Sequence, residues 1–193
     1  TYERVLSLAG AAYAQMRRSR VAPAAPPARA IASDAPDLVL FWKQNDTGMF
    51  GRRPDMVARY LLASGRIGRI LHLDAPLEID ALDPLPPTPN ASHSSATALQ
   101  IRNTIGNQYA LRDGERHLLR TFLWDRSGRG SVLPSVASST GDCPAWVADQ
   151  MRALGMRPEN PCAWVCPVVF DFPAVAAAIP FRAVIGDLID DQR

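Results

Sequence analysis

Asp37-Leu-Val-Leu-Phe-Trp42, the loop Asn45-Asp-Thr-Gly-Met-Phe-Gly-Arg-Arg53 and the helical pattern that follows it decide the fold of this chain. The first run is apolar and of strand length. The helical pattern runs from Pro54 to Ser64 and leads to a second strand-like run at 69–74. This order predicts a β-loop-α-β unit with parallel strands, whose carboxyl ends face any ligand. We therefore expect this loop to form part of the ligand-binding edge of the domain.

The rest of the chain continues the alternation of strands and helices. Its apolar strand-like runs lack the strict period-2 alternation of a half-exposed sheet, which favours a parallel sheet covered on both faces. We predict a doubly wound α/β domain with a mostly parallel, Rossmann-like sheet and helices on both faces. The further predicted strands are 117–124, 162–167 and 181–188, and the further predicted helices are 96–109, 144–154 and 173–179.

Proline and alanine mark the predicted domain boundaries. Residues 1–18 have helical spacing of apolar side chains and predict an amphipathic helix, either a cap on this domain or the tail of a preceding one. Residues 19–36 predict a Pro/Ala linker, and 37–193 the α/β domain. The Pro-, Ser- and Asp-rich span 75–95 predicts a functional lip or a partly disordered segment. Because the chain starts without Met and stops after a strand, we expect it to be part of a longer protein.

Composition excludes several classes of protein. The formal net charge is +2 and the 21 basic residues are scattered, so we expect no nucleic-acid partner. No apolar run reaches the roughly 20 residues of a membrane span, although peripheral contact with a membrane is compatible with this pattern. The three cysteines lack the paired spacing of a zinc site, so we predict no metal and no cofactor. These features favour a cytoplasmic protein.

The loop after the first strand carries the predicted ligand-binding groups. Its glycines allow a backbone to approach a ligand closely, and its arginines, next to a helix start, suit an anionic or polyhydroxyl ligand. The alternative is a tight turn with solvated arginines, and the sequence leaves both open. The predicted substrate-binding residues of this loop are Asn45, Asp46, Gly48, Gly51, Arg52 and Arg53.

Carboxylates follow two of the predicted strands. Asp74 lies where a ribose-binding acid is expected in a dinucleotide fold, but the loop has Gly-x-x-Gly instead of Gly-x-Gly-x-x-Gly. Asp187 is a predicted substrate-binding residue, and Asp190 and Asp191 are candidates for a general base. A solvated acidic pair at a helix start is the alternative reading of this cluster. We interpret His72 and His117 as packed strand histidines.

The order of these motifs resembles the N-terminal half of bacterial GT-B glycosyltransferases. In that family a strand, an Arg-Pro element that opens the first helix and a Val-Asp-Pro-Pro-like strand end recur. Here they correspond to Leu38-Val-Leu-Phe-Trp42, Arg53-Pro54 and Ile70-Leu-His-Leu-Asp-Ala-Pro76. Ala183-Val-Ile-Gly-Asp-Leu-Ile-Asp-Asp191 is similar to the family's Tyr-Asp-Leu-Val-Asp-Asp strand end. The resemblance covers 37–191 and is poor in the middle third, where the 75–95 span departs from the family.

The resemblance implies a function and its partners. The N-terminal half of such an enzyme usually binds the glycan or lipid-linked acceptor, and a second, C-terminal domain mainly holds the nucleotide-sugar donor. It implies that Asp190 and Asp191 assist deprotonation of the acceptor hydroxyl, and that this piece alone does not transfer sugar. Two other classes stay open: the nucleotide- or dinucleotide-binding domain of an oxidoreductase, and a non-catalytic partner-binding module.

Overall fold

A computed structural model describes residues 30–45, 47, 53–82, 104, 106, 116–128, 136–166 and 172–187 of the chain. Within them lie five strands and three α-helices. The strands are β1 Asp37–Phe41, β2 Ile70–Glu78, β3 His117–Trp124, β4 Pro161–Val165 and β5 Ala183–Gly186. The helices are α1 Arg53–Ser64, α2 Cys143–Leu154 and α3 Phe172–Ala178, with short 3₁₀ turns at Ile79–Leu82 and Thr140–Asp142.

The strands form one sheet in the order β3-β2-β1-β4-β5, and every pairing is parallel. This is the strand order of a doubly wound Rossmann-like sheet, so the predicted fold class is confirmed. The order reverses between β1 and β4, because the chain builds outward from β1 in one direction and then returns to its other side. Ligands of such sheets bind outside the carboxyl ends of the strands at this reversal.

Both faces of the sheet are buried around β1. Leu38 packs with Ala58 of α1 and with Ile70 on one face. Val39 packs with Val147 of α2 on the other face, in the larger core cluster. All five residues of β1 are buried, which explains why its sequence is apolar on successive positions instead of alternating.

The strand boundaries differ from the prediction most clearly at β2. The predicted strand ends at Asp74, whereas β2 continues to Glu78 with a register shift between Asp74 and Leu77. Pro76 lies within the shift, where a residue without an N–H donor is tolerated. The first residues of the 75–95 span are therefore strand and then a 3₁₀ turn, and its remainder lies outside the described residues.

Two predicted helices fall largely outside the described part of the chain. Residues 1–18 and the linker up to 29 lie there entirely. Of the helix predicted at 96–109, Thr104 and Gly106 are described, and both are helical and buried. Ala32, which precedes β1, is hydrogen-bonded to the domain, because its N–H donates to the Gly65 carbonyl at 3.1 Å.

The amino ends of the strands are fixed by a buried carboxylate. Asp37 is 0 % exposed, and its Oδ2 accepts the Arg157 backbone N–H at 2.9 Å. Arg69 Nη1 lies 3.9 Å from Asp37 Oδ1. Nearby, the Arg116 guanidinium donates to the carbonyls of residues 62, 67 and 68. These bonds stabilise the end of the sheet opposite the expected ligand edge.

Within the described residues, none of the helices has the length and apolar character that crossing a bilayer requires.

Candidate functional site

A shallow crevice lies at the carboxyl ends of β1, β4 and β5, beside the start of α1. It contains about 210 Å³ of space between atoms, part of it open to solvent. The crevice spans the reversal of strand order between β1 and β4, which is where doubly wound sheets bind ligands. Its lining residues are Leu40, Trp42, Arg53, Pro54, Val57, Trp164, Cys166 and Asp187.

Asp187 is the acidic group of this crevice. Its backbone N–H donates to the Val165 carbonyl at 2.8 Å and so extends the ladder between β4 and β5 by one residue. One carboxylate oxygen lies 3.0 Å from Arg53 Nη2, and the other accepts the Trp164 Nε1–H at 3.0 Å. The carboxylate therefore has a cation on one side and an indole donor on the other.

The two partners of this ion pair differ in exposure. The Asp187 side chain is 11 % exposed, and that of Arg53 is 52 % exposed. Arg53 is the first residue of α1, so it combines its own charge with the positive end of the helix dipole. The carboxylate is thus the more buried member of the pair, and the guanidinium is the member more accessible to a ligand.

Cys166 lines the crevice as a neutral thiol. Burial, reinforced by the Asp187 carboxylate and opposed by Lys43 and Arg53, raises the pKa of Cys166 to about 11. The thiol is therefore protonated at neutral pH and unsuited to nucleophilic attack. Its contribution to the crevice is an apolar wall.

The loop after β1 is hydrogen-bonded to the middle of β2. The Ala75 N–H donates to the Gln44 carbonyl at 3.2 Å, and the Asn45 amide donates to the Ala75 carbonyl. Thr47 is 1 % exposed, and its hydroxyl donates to the Asp74 carboxylate. The same hydroxyl lies 3.3 Å from His72 Nε2.

His72 is a buried neutral histidine. It is 0 % exposed, and its ring stacks on that of His117 with 5.8 Å between centroids. Burial, with a smaller contribution from His117, lowers the pKa of His72 well below its usual value. The interpretation of His72 as a packed strand histidine is confirmed.

A second hollow lies on the α2 side of the same sheet edge. It is larger, about 310 Å³, and part of that space is open to solvent. Most of its walls belong to the main core cluster, and it shares Trp42 with the crevice. Its lining residues are Phe41, Trp42, Leu73, Asp74, Pro76, Phe122, Cys143, Trp146, Val147 and Val175. This hollow is an indentation of the core.

The predicted site residues divide into three groups. Arg53 and Asp187, from distant parts of the chain, meet in the crevice. Asn45 is fastened to the backbone at Ala75, and Asp74 is 2 % exposed and bonded by Thr47, so both currently have partners inside the protein. Their roles toward a ligand stay predictions. The predicted residues that lie outside the described ones are Asp46, Gly48, Gly51, Arg52, Asp190 and Asp191.

Three residues of the site were not singled out from the sequence. Trp164 and Trp42 supply the aromatic walls, and Trp164 also orients Asp187. Thr47 fastens the loop. The signal for Trp42 was its position at the end of the first predicted strand, whereas Trp164 lay within the strand predicted at 162–167. Thr47 gave no signal, because its partners become neighbours only when β1 and β2 pair.

The described residues contain no group of three or more His, Cys, Asp or Glu side chains that could hold a metal ion. The chemistry available in the crevice is that of a carboxylate, a guanidinium and two indole rings. The carboxylate can accept hydrogen bonds, the guanidinium can donate them, and the indole rings offer apolar faces.

Comparisons of this chain with models of protein families, with curated proteins and with solved structures give no significant match.

Proposed function

We propose that this chain is the acceptor-binding half of a glycosyltransferase, which transfers a sugar from a nucleotide-sugar donor to a glycan or lipid-linked acceptor. The observation that carries the proposal is the Asp187 carboxylate, held by Arg53 and Trp164 in the crevice where the strand order reverses. The resemblance of the strand and helix starts to GT-B enzymes supports the same assignment.

The crevice residues suit a sugar. A pyranose presents hydroxyl donors around its rim and C–H groups on its faces. The Asp187 carboxylate accepts hydroxyl protons, and the rings of Trp42 and Trp164 provide apolar surfaces for a sugar face. Arg53 either donates to ring hydroxyls or neutralises an acidic sugar or a phosphate on a lipid-linked acceptor.

The proposed reaction needs a base near the acceptor hydroxyl. Asp190 or Asp191, three and four positions after Asp187, removes the proton as the acceptor oxygen attacks C1 of the donor sugar. The new C–O bond forms while the bond from C1 to the nucleotide diphosphate breaks, and the diphosphate leaves with the electron pair. A separate donor-binding domain stabilises that charge, so the present chain is expected to bind acceptor without transferring sugar.

The same proposal places the protein in the cytoplasm, where nucleotide sugars are made. All three cysteines are free thiols, which is consistent with a reducing compartment.

A dinucleotide-binding domain shares the strand order, but two observations oppose it. The fingerprint glycines belong directly between β1 and its helix, whereas here β1 ends at Phe41 and α1 begins only at Arg53. The ribose-binding acid belongs at the end of the second strand, whereas Asp74 is buried inside β2 and receives a hydrogen bond from Thr47. A glycosyl ligand therefore fits the crevice better than NAD.

The test is a titration followed by the NMR signal of the Trp164 indole N–H. The indole N–H that donates to Asp187 gives a resolved NMR signal, and we expect a panel of methyl glycosides and oligosaccharides to shift it. The same titration with NAD and with nucleotide sugars is expected to leave that signal unchanged. A shift by NAD at lower concentration than by any glycoside supports an oxidoreductase domain. No response to any of these compounds overturns the proposal and favours a partner-binding module.

A further inference from the structure

A buried polar contact attaches the described part of the loop between β1 and α1 to β2. Thr47 is 1 % exposed, and its hydroxyl lies between the Asp74 carboxylate and the His72 imidazole of β2. Both partners are themselves buried, at 2 % and 0 % exposure. Burying a threonine hydroxyl without hydrogen bonds costs folding free energy, so the bond to Asp74 stabilises this position of Thr47.

The directions of these hydrogen bonds follow from the number of protons. A threonine hydroxyl has one proton, and it donates that proton to Asp74. Thr47 is then an acceptor toward His72, so His72 carries its proton on Nε2 at 3.3 Å from the hydroxyl. The lowered pKa of His72 agrees with a neutral ring that has a single N–H. The three side chains thus form an ordered chain of donors from His72 through Thr47 to Asp74.

A second attachment lies next to the first. The Ala75 N–H donates to the Gln44 carbonyl, and the Asn45 amide donates to the Ala75 carbonyl. Asp74 and Ala75, in the middle of β2, therefore hold Gln44, Asn45 and Thr47. Asn45 is one of the residues predicted to bind substrate, and this attachment determines where it lies.

We propose that Thr47 is a positioning residue of the acceptor site, and that Asp74 acts on the ligand through Thr47 instead of touching it. This inference rests on the proposed function. It changes the role of Asp74 from a ligand-binding carboxylate to the anchor of the loop that carries Asn45. Removing the Thr47 hydroxyl frees Thr47 from Asp74 and so weakens the binding of an acceptor through Asn45.

The test is a double-mutant cycle with two threonine variants. Thr47→Val keeps the shape of the side chain and removes the hydroxyl, whereas Thr47→Ser keeps the hydroxyl. The probe is whichever methyl glycoside binds the unmodified chain most tightly. We expect Thr47→Val and Asp74→Ala each to weaken binding about tenfold, as for the loss of one buried hydrogen bond, and Thr47→Ser to stay near the unmodified affinity.

The combination of variants separates the two roles of Asp74. If Asp74 acts through Thr47, the double variant Thr47→Val/Asp74→Ala binds no more weakly than the weaker single variant. Additive losses, or a Thr47→Val variant with full affinity beside a weakened Asp74→Ala variant, overturn the inference and make Asp74 a direct ligand group.

Two readouts need no ligand and keep this test separate from that of the proposed function. The ¹⁵N signals of His72 are expected to show the Nε2–H tautomer in the unmodified chain and to lose that preference in Thr47→Val. Hydrogen exchange of the Ala75 amide is expected to rise in the same variant and not in Thr47→Ser.

If no glycoside binds, the proposed function fails and the acceptor role of Thr47 fails with it. If both readouts stay unchanged in Thr47→Val, Thr47 does not hold the loop and the inference is overturned on its own.

Discussion

The Arg53 guanidinium at the start of α1 lies 3.0 Å from the carboxylate of Asp187, the residue that follows β5. This pair connects an early helix to a late strand across the point where the strand order reverses. The Asp187 side chain is 11 % exposed and that of Arg53 is 52 % exposed, so the carboxylate is largely buried and the guanidinium faces solvent. The crevice therefore presents a largely buried carboxylate, held by Trp164, beside an exposed cation.

Asp187→Asn is expected to affect binding more than stability. The Arg53 partner is half exposed, so the ion pair contributes less than about 1 kcal/mol to the free energy of unfolding. Loss of the negative charge removes the strongest acceptor in the crevice, so glycoside binding should weaken at least about tenfold. Urea denaturation and the Trp164 titration measure the two effects.

Asp149→Asn is the matched control for Asp187→Asn. Asp149 pairs with Arg152 on the outer surface of α2, with side chains 55 % and 75 % exposed. This variant removes the same charge from a surface ion pair away from the crevice lining, so both stability and glycoside binding should stay unchanged. If Asp149→Asn and Asp187→Asn reduce glycoside binding equally, the effect reflects net charge and Asp187 has no special role.

Trp164→Phe tests the orientation of Asp187. The variant keeps an aromatic ring in the crevice and removes the N–H that donates to Asp187 at 3.0 Å. A hydrogen bond to a charged acceptor in a partly buried setting contributes about 1–2 kcal/mol, so the free energy of unfolding should fall by that amount. In an Asp187→Ala background the same change should cost clearly less, because the acceptor is gone. Equal costs in the two backgrounds would show that the lost bond is not the cause.

The fold was more accessible from the sequence than the site. β3 was predicted at 117–124 because its apolar run has clear ends, and the structure has the same bounds. β2 was predicted too short, since Ala75 and Pro76 signal a turn, whereas the strand shifts its register around Pro76 and pairs again at Leu77.

The pairing of site residues depended on facts that the sequence does not contain. Arg53 opens the helix after β1, and Asp187 directly follows β5. A parallel sheet therefore predicts both residues at the same edge, the one formed by the carboxyl ends of the strands. The bond from Trp164 to Asp187 depends on the register between β4 and β5, which places Trp164 beside Ile185. Local patterns do not determine that register, so a contact of this kind becomes visible only in the structure.

Gly68→Ala is expected to destabilise the amino end of the sheet. A Cβ at Gly68 would lie 2.5 Å from Asp37 Oδ1 and 3.5 Å from the Ala35 carbonyl oxygen. Asp37 is 0 % exposed and its other oxygen accepts the Arg157 N–H, so a shift away from the new methyl group would disturb that bond. Such overpacking costs about 1–3 kcal/mol, which urea denaturation can measure.

An Asp37→Ala background gives the control for Gly68→Ala. Asp37→Ala alone leaves the Arg157 N–H without its acceptor and should cost about 1–3 kcal/mol. In that background the new methyl group at position 68 meets no carboxylate, so Gly68→Ala should cost much less than in the unmodified chain. If its cost is the same in both backgrounds, the strain arises from the backbone and not from Asp37.

His72 is expected to make the fold acid-sensitive. Burial lowers its pKa in the folded state, so below the ordinary histidine pKa of about 6.5 the unfolded chain binds a proton that the folded chain does not. Stability is therefore full above about pH 6.5 and falls as the pH drops toward the folded-state pKa, at up to about 1.4 kcal/mol per pH unit from this group. Urea denaturation between pH 7 and pH 5 should show this slope for the unmodified chain. His72→Gln has no such group and should give a flatter curve, whereas parallel curves would mean that the acid sensitivity comes from other groups.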